Sequence, residues 1–169
     1  MTYSRPDTIV IGVGNEFRGD DGVGIAVARK LHDTIATEVP VLEQSGEGTT
    51  LMDAWQGATC VILVDAVYSG GAPGTIHRID TSAALLPASL FPCSTHAFGV
   101  ADAIEIARAL HQLPPTMIVY GIEGVSFDEV RGLTIEVQSA VDAVCARILE
   151  EVLCHHLRSH RICPDEAMR

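Results

Sequence analysis

The sequence predicts an α/β three-layer sandwich, a mostly parallel central sheet of about five strands with helices on both faces. Three observations predict it. Short β-branched runs alternate with segments of helical spacing along the chain. One run, "TCVILVDAV" at residues 59–67, is continuously apolar, as strands covered on both faces of a parallel sheet are. No internal repeat or interdomain linker interrupts the alternation, and 169 residues of 47% hydrophobic and 20% charged composition suffice for one substantial core. The expected organisation is a single α/β domain over residues 1–155 and a polar C-terminal tail over 156–169.

The elements follow in order. "TIVIGVG" from Thr8 to Gly14 is a strand closed by glycines, and "GVGIAVARKLHD" after it has helical spacing through Val23, Val27 and Leu31. Val39 to Glu43 reads as a second strand and Thr50 to Gln56 as a short helix. "SGGAPG" (Ser69 to Gly74) is a turn cluster that leads into "TIHRID", an edge or antiparallel strand. "STHAFGVADAIEIARAL" offers Ser94 or Thr95 as N-cap, with Phe98, Ala101, Ile104, Ala107 and Leu110 on one face. "PPTMIVYGIEG" is a further apolar strand. Thr134 can cap a long helix carrying Ile135, Val137, Val141, Val144, Ile148 and Val152, before a polar tail from about His155. In such sheets ligands bind beyond the carboxyl ends of the strands, near the point where strand order reverses.

Charge and cysteine content narrow the function. A formal net charge of −11 opposes binding to nucleic acid or anionic membrane, both of which require clustered Lys and Arg. No apolar run is long enough to span a bilayer, and the N-terminus lacks a secretory pattern, so a cytoplasmic protein is expected. Cys60, Cys93, Cys145, Cys154 and Cys163 are odd in number and form no Cys-x-x-Cys pair, which points to reduced thiols.

The glycine-rich segment "GVGNEFRGDDGVG", Gly12 to Gly24, sits where nucleotide-binding loops sit and fails both nucleotide fingerprints. Phe17 occupies the third glycine position of the dinucleotide motif. Asp20 stands where a P-loop carries its lysine. One acid of the Asp20–Asp21 pair can cap the following helix; the other calls for a cation. The fold reading brings further polar residues to the same edge: Glu43 and Glu47 after strand two, Asp65 at the end of "VILVD", His96 at the opening of the helix after "CST", and Glu123 after "MIVYG". An acid ending a buried apolar strand is poorly explained by packing. Asp21, Asp65 and His96 together make a two-carboxylate, one-imidazole set suited to a divalent transition metal, and such a set can polarise a carbonyl or activate water. A hydrolase is the chemical expectation. Cys93 as a small buried residue, the tail segment "CHHLRSHRIC" as a helix end, and Ser45 in a loop without a Gly-x-Ser-x-Gly elbow are weaker candidates.

These segments resemble the hydrogenase maturation proteases, which remove a C-terminal extension from the large-subunit precursor of [NiFe] hydrogenases. The resemblance is carried in order by "GVGNEFRGDDGVG", "VILVDAV", "GAPGTIHRID" and "STHAFGVADAI", and extends from about residue 8 to residue 150. It implies an endopeptidase that recognises nickel already held by its substrate. Asp21, Asp65 and His96 match the family's metal-contacting positions. Asp20 matches the first acid of the pair, as a cap or a catalytic carboxylate beside Asp21, and Glu16 falls at a variable position. Many members of the family this sequence resembles carry Asp-Gly-Gly-Thr after the second strand, whereas this chain has Glu43-Gln44-Ser45-Gly46-Glu47-Gly48. The implied partner is the nickel-loaded precursor. The competing expectation is a nickel-binding checkpoint or carrier protein without peptidase activity.

Overall fold

The computed structural model describes residues 7–87, 90 and 98–159. Among them lie strands β1 (Thr8–Val13), β2 (Val41–Gln44), β3 (Cys60–Val67), β4 (Ile76–Asp80) and β5 (Thr116–Glu123), and helices α1 (Val23–Ile35), α2 (Gly48–Trp55), α3 (Val100–Ala109) and α4 (Ile135–Ser159). The strands form one sheet in the order β2-β1-β3-β5-β4. β1, β2, β3 and β5 are parallel, and β4 closes one edge antiparallel to β5. The fold is the α/β sandwich that the sequence predicts.

Side-chain alternation along the strands divides the core in two. Val10, Ile62, Val64, Ile118 and Tyr120 pack towards α1 and α4, against Val27, Leu31, Val144 and Ile148. Ile9, Ile11, Val61, Leu63 and Val119 pack towards α2 and α3, against Leu51, Trp55 and Ile104. The division follows from chain direction. The chain leaves β1 for β2 in one direction and then returns past β1 to β3. Right-handed crossovers therefore set α1 and α2 on opposite faces. The reversal opens a crevice at the carboxyl ends of β1 and β3.

Several boundaries differ from those read in the sequence. β2 begins at Val41 instead of Val39, because Val39 N–H still bonds the α1 end at Ile35 O and Pro40 has no N–H to give a ladder. α2 begins at Gly48, two residues early, because the Glu47 side chain accepts from the N–H groups of Thr49 (3.2 Å) and Thr50 (3.0 Å). α3 starts at Val100. Gly99 is extended before it, and the Asp102 carboxylate accepts from Gly99 N–H at 3.2 Å. Leu110 falls beyond the end of α3 and is exposed, and Ile135 at the first turn of α4 is exposed as well. α4 runs on through Ser159, into the segment read as tail. Its last turns are tied to the start of β1 by His155 Nδ1, 3.1 Å from Thr8 Oγ1 and 3.5 Å from Asp7 Oδ2.

Candidate active site at the carboxyl edge of the sheet

The glycines of the first loop serve helix packing. A Cβ on Gly24 would lie 2.2 Å from Val13 O and 2.4 Å from Val64 O, so the first turn of α1 rests directly on the backbone ends of β1 and β3. Gly12 faces the same contact, with Gly24 O 2.1 Å from its notional Cβ. Close approach of this kind is what the third glycine of a dinucleotide loop provides; here Gly24 supplies it, and Phe17 is left half-exposed. Gly14 turns the chain at φ +138°, and Asn15 N–H bonds back to Asp21 O at 3.2 Å. Residues 15–21 are thereby folded into a compact loop that ends in a 3-10 turn, Gly19–Gly22.

This geometry separates the two adjacent acids. Asp20 is fully buried. Its Oδ2 accepts from the N–H groups of Val125 (2.9 Å) and Ser126 (3.0 Å), and its Oδ1 from Thr134 N–H (2.8 Å) and the Thr134 hydroxyl (2.9 Å). Asp20 N–H in turn bonds Ser126 O at 2.8 Å. Burial alone would raise its carboxyl, but these bonds to Val125, Thr134 and Ser126 outweigh burial and hold it below the ordinary value. The cap reading is thus corrected in its target. α1 starts without a side-chain cap bond, and Asp20 instead holds the loop between β5 and α4.

Asp21 is partly exposed at the mouth of the crevice, on the turn between β1 and α1. Asp65 ends the buried run of β3, on the face shared with Val61 and Leu63, and accepts from Ala66 N–H at 2.9 Å. Its carboxyl is raised well above the usual range, first by burial and then by the charge of Asp21, against the opposing Ala66 bond. The chain therefore brings two carboxylates near enough to repel across the switch point. His96, the third member of the predicted set, lies outside the described residues, as do Cys93, Ser94 and Thr95. The described helix α3 starts at Val100, four residues after His96 in the sequence. Among the described residues no group of three His, Cys, Asp or Glu side chains comes together as a metal-holding set.

The other acids of the edge have structural partners. Glu123 is fully buried, and its Oε1 accepts from the N–H groups of Ser69 (2.6 Å), Gly70 (3.0 Å) and Gly71 (3.1 Å), while Oε2 meets the Ser69 hydroxyl and His77 Nε2. Glu47, the α2 cap, is held down to about 2 by the Thr49 hydroxyl and the N–H groups of Thr50 and Thr49. Glu16 and Glu43 both bind Arg29, at 3.0 Å each, and so join the first loop to the end of β2. That clamp borders a cleft of about 530 Å³ lined by Gly14, Asn15, Phe17, Gln44 and Ser45, beside the Asp21 turn. The anchoring roles of Asp20 and Glu123 escaped sequence reading, since their partners are 105 to 114 and 46 to 54 residues away.

The fold and this edge define an α/β protein whose switch-point site is built from repelling carboxylates, the reverse of an anion-cradling nucleotide loop. Such a site suits cation-assisted hydrolysis. The sequence profile of the hydrogenase maturation protease family matches residues 25–151, and the chain belongs to that family. A Methanocaldococcus jannaschii protein, provisionally named a hydrogenase maturation protease, is 33% identical over 88% of this chain and 97% of its own length. The hydrogenase expression/formation protein HupD of Thiocapsa roseopersicina is 27% identical over 76% of this chain, which spans only 59% of that relative. The hydrogenase maturating endopeptidase HybD from Escherichia coli superposes with a TM-score of 0.70 at 22% identity, covering 86% of this chain and 91% of its own; the likeness is one of fold. Among the described residues no helix is long and apolar enough to cross a membrane.

Proposed function

We propose that this chain is the endopeptidase that removes the C-terminal extension of a nickel-loaded [NiFe] hydrogenase large-subunit precursor. The observation that carries the reading is the pairing of Asp21 with a half-buried Asp65, whose charge is disfavoured by its surroundings and by Asp21, at the switch point of a chain belonging to this family. Nickel enters with the substrate and is met by Asp21, Asp65 and His96. Oxygen and imidazole donors suit Ni²⁺.

The electrostatics give the substrate's metal a discriminating role. Without a cation, burial and the Asp21 charge favour the protonated form of Asp65. A divalent ion held near the two acids would offset their repulsion and favour the charged form of Asp65, so a loaded precursor would meet a more fully ionised site. Asp21 then serves as the carboxylate that takes a proton from the water adding to the scissile carbonyl carbon and returns it to the amine released as the C–N bond breaks, and Asp20 keeps the Asp21 turn fixed. The cleft bordered by Arg29 and Gln44 gives room for a length of extended chain beside the scissile bond.

The test is electrophoretic shortening of a purified large-subunit precursor, loaded with nickel or left empty. Shortening of the loaded form only, abolished by Asp21→Asn and by His96→Ala, is the expected result. A wild-type chain that binds the loaded precursor and never shortens it would make the protein a checkpoint or carrier.

A further inference from the structure

We infer that the loop of residues 124–134, together with Phe17 and Tyr68, is the platform on which the folded precursor docks; the inference rests on the proposed function. Phe17, Tyr68, Val125 and Val130 are 51%, 48%, 53% and 52% exposed. Apolar residues scattered singly over a surface need no explanation. These four follow β1, β3 and β5 and gather at the carboxyl edge that bears Asp21 and Asp65.

Contacts join them into one surface. Arg131 lies over the Phe17 ring, 4.3 Å from its centroid. Val130 O accepts from Gly19 N–H at 2.7 Å, and Arg18 reaches Phe127 O at 3.4 Å. Tyr68 meets Phe127 edge to face, with centroids 5.7 Å apart. The surface is also pinned. Asp20 holds Val125, Ser126 and Thr134, while a Cβ on Gly19 would strike Ser126 O at 2.5 Å. A loop anchored by a buried carboxylate does not expose its side chains through slackness. A preformed apolar surface has little ordering entropy to lose on binding.

The occupant follows from continuity with the reacting edge. Asp20 and Asp21 are neighbours in one turn, so the anchor of the platform is also the anchor of the site. A protein whose peptide bond reaches Asp21 and Asp65 must bring its own surface over the loops that follow β1, β3 and β5. Aromatic and arginine side chains around an apolar centre are the composition of a protein-docking patch. The precursor face beside the scissile segment is therefore apolar, with polar groups at its margin.

The experiment measures processing of the nickel-loaded precursor by the full chain carrying Tyr68→Ser, Val125→Ser and Val130→Ser together. The precursor concentration for half-maximal rate should rise at least about tenfold, with the saturated rate within about twofold of wild type. The urea midpoint should move little, because the removed side chains are each about half exposed. Val130→Asp alone, a lighter change, should raise the half-saturating concentration about threefold or more. Unchanged half-saturation in both variants, with wild-type processing intact, overturns the platform and leaves the proposed function standing. A wild-type chain that does not shorten the loaded precursor overturns both. Loss of self-association in the triple variant at unchanged processing would give the patch to a second copy of the chain and also overturn the inference.

Discussion

Asp20 and Glu123 on one side, and Asp65 on the other, are carboxylates at the same edge of one sheet in contrasting surroundings. Asp20 and Glu123 each gather three backbone N–H groups and a hydroxyl, and both are held below their ordinary values despite burial. Asp65 accepts from Ala66 N–H, pairs with no Lys, Arg or His among the described residues, and is pushed upward by burial and by Asp21. Burial by itself therefore does not mark a functional acid. The number of donors that converge on it does: a satisfied carboxylate fixes loops, and one left in tension has an electrostatic demand that a ligand can meet.

The strongest way to break this contrast is to neutralise each kind of acid. Asp21→Asn and Asp65→Asn should each lower precursor processing by a hundredfold or more, on the order expected for a lost acid–base group. Urea midpoints at neutral pH should be no lower than wild type, and for Asp65→Asn higher. A lower midpoint would class Asp65 with the anchors. Asp20→Asn sets an amide against converging N–H donors and should cost about 2–4 kcal/mol in urea unfolding. A melt like that of wild type would remove Asp20 from the anchors.

The sign of the pH dependence sharpens the comparison. The Asp20 carboxyl is lowered in the fold, so its stabilisation is present above the ordinary aspartate value and is lost as pH falls through the folded value. The advantage of wild type over Asp20→Asn should narrow towards acid. The Asp65 carboxyl is raised, so its contribution is present below the ordinary value and is lost as pH rises through the folded value. The advantage of Asp65→Asn over wild type should widen as pH rises. Urea melts from about pH 3 to pH 8 read both slopes, and slopes of the same sign would undo the distinction. The smallest effect belongs to Glu16→Gln, which breaks an exposed pair with Arg29. Processing within about twofold of wild type and an unchanged urea midpoint are expected.

Much of this arrangement was legible in the sequence because it is local. "VILVD" gives both a buried strand and the acid at its end, and period-2 alternation turns "TIVIGV" into a two-faced strand with a glycine where α1 must approach. What stayed hidden depends on distant partners. "GDDG" does not reveal that its first acid reaches Thr134, 114 residues away, while the second faces Asp65. Ser94 and Thr95 are good helix cappers in the abstract, yet Phe98 O is engaged by Gly48 N–H at 3.0 Å and Gly99 stays extended, so α3 begins later. The same contact explains the glycine at residue 48. A Cβ there would lie 2.5 Å from the Phe98 ring.

The bare contact of Gly24 with Val13 and Val64 makes the distance between Asp21 and Asp65 a matter of atomic radii. One strand ends in Asp65, the other leads into the Asp21 turn, and the helix rests on both with no side chain between them. A spacing fixed by hard contact has almost no tolerance. A single methyl group at residue 24 acts as a shim, lifting the helix and carrying Asp21 away from its partner, while most of the core beneath keeps its packing.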